Sequence, residues 1–139
     1  MQNPHQTYKQ VSGNICRYTL NWSPYVEMDR YLVHGIVPSE GGIFQVYVNR
    51  KGQLHLIHTE LSHYGGLRNR VREMIDPLYM GHNPYKDIIE NEQCFVRYSI
   101  FTSITDMQDV MNYLTGSENS GRYDEIMVFE KDLLKVRKV

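Results

Sequence analysis

GIFQVYVNRKGQLHLIH, residues 42–58, decides how the chain is read. IFQVYV (43–48) and QLHLIHT (53–59) are rich in β-formers, and NRKG sits between them. Two such runs joined by a short glycine-bearing turn predict a β-hairpin, with Gly52 free to take positive φ. In a regular strand, His55 and His58 would face opposite ways because their separation is odd, while His58 and Glu60 would share a face.

The rest of the pattern grows outward from this hairpin. LSHYGG (61–66) reads as a loop, and GLRNRVREMI reads as a helix with Leu67, Val71, Met74 and Ile75 on one stripe. Asp76-Pro77 ends it. Asn83 fits an N-cap with Pro84 at the first helical position, and Tyr85, Ile88 and Ile89 give a short helix its inner face. QCFVRYSIF (93–101) is a third core strand. TDMQDVMNYLTG is an amphipathic helix, with Thr105 and Gln108 as a capping box, Met107, Val110, Met111 and Leu114 as its stripe, and Gly116 as its stop. Upstream, ICRYTLNW (15–22) alternates like a strand, and YVEMDRYLVHGIVP (25–38) is ambiguous, with room for a helical turn or two before Pro38. Residues 1–14 are polar and patternless, which predicts a flexible N-terminal arm before a single domain over 15–139. DEIMVFEKDLLKVRKV gives a last strand and a basic tail. A hairpin at the heart of mixed strands and helices predicts α+β packing, a small antiparallel sheet flanked by helices.

Composition narrows the function. The chain has 139 residues, 41% of them apolar and 22% charged, which suits one core. Its formal net charge is −1, where a domain that grips phosphate backbones would be clearly basic. Eleven tyrosines against one tryptophan and four phenylalanines predict half-buried rings with wet hydroxyls. Cys16 and Cys94 lie far apart in β-like runs and read as small buried residues rather than a disulfide or metal pair. Neither a signal peptide nor a bilayer-length apolar run is legible, so the expected location is cytoplasmic, with no membrane contact.

GIF (42–44), HLI (55–57) and LRNRV (67–71), in that order and spacing, resemble the GIY-YIG nuclease superfamily. The resemblance runs from about residue 15 to 115 and includes YTLNW…IVPSEGGIF upstream. It implies a GIY-YIG-like core and a phosphodiester-cleaving site. There, a hydroxyl or water acts as base, a helix arginine binds phosphate, and a carboxylate on a later helix holds a divalent metal. Carried over residue by residue, the first tyrosine becomes Phe44, which has no hydroxyl. The second becomes His55, a competent base. The glycine becomes Ile57, which crowds any approach to the backbone. His58 stands where a lysine often follows. Arg70 takes the phosphate-binding position, with Arg68 on the other flank of the stripe. The metal carboxylate falls at Asn112 or Tyr113, with Asp109 a turn away and polar-facing.

The implied site is therefore His55 and Arg70 as catalytic candidates, with Phe44, His58, Arg68 and Asn112 as binding candidates. The resemblance with these departures implies a degenerate family member without efficient nuclease activity, keeping a nucleic-acid or protein-binding surface. One alternative is a divergent endonuclease that uses Mg²⁺ or Mn²⁺; otherwise no cofactor is expected. A second is a cytoplasmic interaction module with no nucleic-acid contact. An intact site would need Phe44, His55, Arg70 and Asn112 to converge on one open pocket.

Three weaker patterns complete the reading. His58, Glu60 and His63 could together face a zinc ion. Gly65-Gly66 opens a helix whose free N–H groups could receive an anion. The basic patches are Arg68/Arg70/Arg72 and the tail KVRKV, and both are expected to be mainly solvated.

Overall fold

The hairpin is present in the computed structural model, which describes residues 3–132. β4 (Gly42–Arg50) and β5 (Gln53–Ser62) pair antiparallel around Lys51 (φ 55°) and Gly52 (φ 79°). Positive φ at both turn residues matches the right-handed twist of the flanking strands. The register slips between Val46 and Tyr47: His58 faces Val46 while Leu56 faces Tyr47, leaving Ile57 as an extra residue. This bulge overturns the parity argument for His55 and His58, because one inserted residue restores the phase, while His58 and Glu60 share a face as expected. His55, His58 and Glu60 stand opposite Val48, Val46 and Phe44, all on one face.

Gly42 opens β4 where a Cβ would lie 2.3 Å from the Ser99 carbonyl oxygen. The glycine of GIF thus has a steric reason that needs no chemistry. Next to β4 runs β6 (Cys94–Ile100), antiparallel, followed by the two-residue β3 (Val26–Glu27). The four-stranded order is β3-β6-β4-β5.

Helices cover both faces of this sheet. On one face lie α1 (Arg30–Ile36), α2 (Gly66–Ile75) and the short α3 (Lys86–Asn91). Leu67, Val71 and Met74 of α2 pack against Phe44, Val46, Val48, Val96 and Tyr98. Each such burial is worth roughly 1.5–3 kcal/mol relative to exposure. On the other face, α4 (Ile104–Thr115) sets Met107 and Val110 against Ile43, Tyr18, Leu20 and Trp22.

The last three residues named belong to a second sheet. β1 (Tyr8–Ser12), β2 (Ile15–Trp22) and β7 (Glu125–Asp132) form it in the order β1-β2-β7. The α+β class holds, with an antiparallel sheet between helices as expected. The second sheet adds a parallel pair, β2 with β7, that no local pattern announced.

Several local readings are corrected. The supposed arm is not loose: Tyr8–Ser12 pairs with Ile15–Thr19, and His5–Thr7 bonds to Ile100. YKQVS looks patternless because its pairing partner, not its own sequence, makes it a strand. Ser103, not Thr105, caps α4 by accepting the Asp106 N–H. Asn83 does not cap α3, which starts after Tyr85; its Nδ2 donates to the Met74 carbonyl at the end of α2. The KVRKV tail lies outside the described residues. Among the described residues, no helix is long and apolar enough to cross a membrane.

Candidate functional site

The entry to α2 fixes its position. Gly66 sits at φ 80°, and a Cβ there would lie 1.8 Å from the Ser39 carbonyl oxygen. The Leu67 and Arg68 N–H groups already donate to the carbonyls of Glu40 and Pro38. Gly65-Gly66 therefore receives the 38–40 loop, not an anion. The apolar stripe of α2 faces the sheet, which leaves Arg70 on its flank beside the end of β5.

There Arg70 meets a carboxylate. Its Nε donates to Glu60 Oε2 at 2.6 Å and its Nη2 to Glu60 Oε1 at 3.3 Å. Nη2 also donates to the His82 carbonyl at 2.9 Å, and Nη1 to Glu73 at 3.4 Å. His58 Nε2 lies 2.7 Å from Glu60 Oε1. A carboxylate only accepts, so that nitrogen carries the proton. His58 is also tilted against Tyr85 at 4.9 Å and meets the edge of Phe44 at 6.2 Å.

Burial works to raise the Glu60 pKa, but hydrogen bonds and charge from His58 and Arg70 prevail and hold it below the ordinary range. Burial likewise works against the Arg70 charge, and Glu60 outweighs it. The Arg70 fork, the group that would bind a phosphate, is thus occupied by a strand carboxylate.

The structure brings His58 and Arg70 together at Glu60, but Phe44, His55, Arg70 and Asn112 do not converge on one pocket. Phe44 is fully buried in the core. His55 is exposed near the hairpin tip and makes no side-chain hydrogen bond, ion pair or ring contact among the described residues. It stands roughly 13 Å along β5 from Glu60, four paired steps at strand rise. Ile57 packs on the core. Arg68 Nε donates to the Val37 carbonyl at the end of α1, a structural clamp. Asn112 lies on α4, across the sheet from Arg70, and its carbonyl accepts the Ser117 N–H.

His63 meets Tyr64 edge-to-face, with ring centroids 4.8 Å apart, instead of joining His58 and Glu60. Among the described residues, no group of three or more His, Cys, Asp or Glu side chains is placed to hold a metal ion. Asp109 is not polar-facing. It is 2% exposed and accepts from Tyr18, Ser120 and Arg122.

Two features escaped the sequence reading. One is Glu60 as the partner of Arg70, hidden because the bulge at Ile57 sets which face Glu60 takes. The other is Arg97 on the opposite face of the sheet. It donates twice to Gln45 Oε1, at 2.9 and 3.0 Å, and lies over Trp22 at 4.5 Å, with Tyr25 and Tyr47 close by. Its signal was an arginine inside a core strand, which requires partners.

Beside Glu60 and Arg70 opens a cleft of about 1070 Å³. Its walls include Arg30 of α1, the segment Glu60–Gly65, the outer face of α2 and the first turns of α4. Tyr64 and Leu78 line it while 92% and 82% exposed.

No curated protein matches the chain, and no solved structure does. A family model described as "Uncharacterised protein" matches residues 6–139. The chain belongs to that family.

Proposed function

We propose that this chain is a GIY-YIG-like scaffold serving as a non-catalytic binding domain for a protein partner. The order β4, β5, α2, α3, β6, α4, with β4 between β5 and β6, supports the scaffold half of this reading. The observation that carries the functional half is the bidentate hold of Glu60 on Arg70.

Cleavage of a phosphodiester would need that fork free and a base within about 3 Å of the attacking water. Glu60 occupies the fork and would repel a phosphate. Phe44 brings no hydroxyl, and His55 is far along the strand. The exposed Tyr64 and Leu78 around the cleft favour a protein partner, because exposed apolar groups gathered at a concave site mark interaction surfaces. The formal charge of −1 points the same way. A cytoplasmic setting belongs to the proposal and rests on Cys16 and Cys94, both free and buried in different cores.

The test is plasmid nicking with Mg²⁺ and with Mn²⁺, beside oligonucleotide binding at low salt. The expected result is no nicking and no binding. Metal-dependent nicking that disappears in Arg70→Ala would overturn the proposal.

A further inference from the structure

The cleft straddles the rim of the four-stranded sheet. α2 lies on one face and α4 on the other, yet side chains of both line the same space, with Glu60–Gly65 between them. A space lined from both faces lies over the sheet edge, and β5 is the outermost strand there. From His58 to Ser62 its register with β4 is unbroken. Among the described residues, no backbone hydrogen bond from Gln53–Ser62 runs to anything but β4. Alternate residues of such an edge turn N–H and C=O groups outward.

The cleft is lined by as many carboxylates as guanidinium groups, three of each, but they are not equally engaged. Glu60 is held by Arg70, Glu73 also turns to Arg70, and Asp76 Oδ1 accepts the Leu78 N–H. Arg30 and Arg72 line the cleft with no carboxylate partner among the described residues.

The geometry points to strand addition. An extended peptide of a protein partner, with an acidic side chain flanked by apolar ones, pairs with the His58–Ser62 edge. Its carboxylate meets Arg72 and Arg30, and its apolar side chains meet Tyr64 and Leu78. This rests on the reading of the chain as a protein-binding domain. Main-chain pairing supplies affinity and the flanking pockets supply choice. A nucleic-acid backbone fits less well, since phosphates accept but cannot donate to the outward carbonyls. A second copy of β5 fits less well too, because its Glu60 is already engaged.

The probe is a set of acetylated, amidated octapeptides of alternating Val and Thr, with Asp scanned through the positions. A matching set carries Lys, and a third carries Asp with alternate backbone nitrogens methylated. With the full chain, the Asp peptides are expected to bind and to slow hydrogen exchange at alternate amides of His58–Ser62. Arg72→Glu, on the exposed face of α2, is expected to weaken them about tenfold. The Lys and N-methylated sets are expected not to bind.

Failure of all the Asp peptides to bind overturns strand addition, as does equal binding of the Lys set. Binding that survives N-methylation overturns strand addition but leaves the domain a protein binder. Concentration-dependent protection of the same edge without peptide assigns the edge to a second copy and overturns the proposal. Metal-dependent nicking in the plasmid assay overturns the broader functional reading instead.

Discussion

Arg70 and Arg97 are two half-hidden guanidinium groups on opposite faces of one sheet, 15% and 11% exposed. Arg97 is enclosed by Trp22, Tyr25 and Tyr47, grips Gln45, and lies 3.8 and 3.5 Å from Glu130 and Asp132. It ties the two sheets together, because Gln45 belongs to β4 and Trp22, Glu130 and Asp132 to the other sheet. Arg70 is held by Glu60, more loosely by Glu73, and by the His82 carbonyl, on the wall of an open cleft. Similar exposure therefore conceals different settings: one charge lies in a seam between sheets, the other is held by carboxylates on a cleft wall. Burial alone does not distinguish them; what surrounds the charge does.

The largest break of this comparison is Arg97→Ala. It leaves the Gln45 carbonyl oxygen and two carboxylates without their shared cation, and is expected to cost about 3 kcal/mol in chemical denaturation. Lysine at 97 should recover only part of that, since an ammonium cannot reproduce the fork or the stacking. A loss below about 0.5 kcal/mol, the ordinary surface range, would refute the seam role.

Glu60→Ala comes next. It removes the main partner of Arg70, which keeps Glu73 and the His82 carbonyl beside open solvent, so the expected cost is smaller, about 1–2 kcal/mol. A cost equal to that of Arg97→Ala would erase the distinction between the two sites.

The pH dependence should separate the regions by sign. The folded Glu60 pKa is lowered, so its contribution is present above the unfolded value of about 4.3 and is lost as pH falls through the folded one. Tyr47, beside Arg97, is pushed up to about 12, chiefly by burial and against the nearby Arg97 charge. Its contribution is present below the unfolded value of about 10 and is lost as pH rises through the folded one. Wild type minus Glu60→Gln should therefore shrink in acid, and wild type minus Tyr47→Phe should shrink in alkali. Parallel curves in either pair would contradict the assignment.

The smallest effect belongs to His55→Ala. With no partner among the described residues, His55 is expected to change stability by less than about 0.5 kcal/mol. A larger loss would reveal a role at the hairpin tip.

Much of the fold was legible because it is written in short-range pattern. Ile15–Trp22 was read to the residue, and the hairpin, the stripe of α2 and the Gly116 stop of α4 all stand where their periodicity and turn chemistry place them. β1 was missed because an edge strand borrows its conformation from its partner. The α4 cap was misplaced because Ser103 and Thr105 both offer capping oxygens, whereas α3 has no side-chain cap, its candidate Asn83 bonding instead to the Met74 carbonyl.

The candidate site was legible only in part. Arg70 and His58 could be singled out from the sequence, and Glu60 placed on the His58 face, but the pairing of Glu60 with Arg70 could not. One inserted residue, Ile57, reverses the alternation along β5, and no local rule announces it. The sequence by itself determined the hairpin, the helix stripes and the absence of a hydroxyl at Phe44, since these depend on residue type and near neighbours. Only the tertiary structure decided that Glu60 fills the Arg70 fork, that Asn112 stands across the sheet, and that Arg97 joins β4 to β2 and β7. Those facts depend on which distant strands pair and in what register, and that is set by the whole core closing at once.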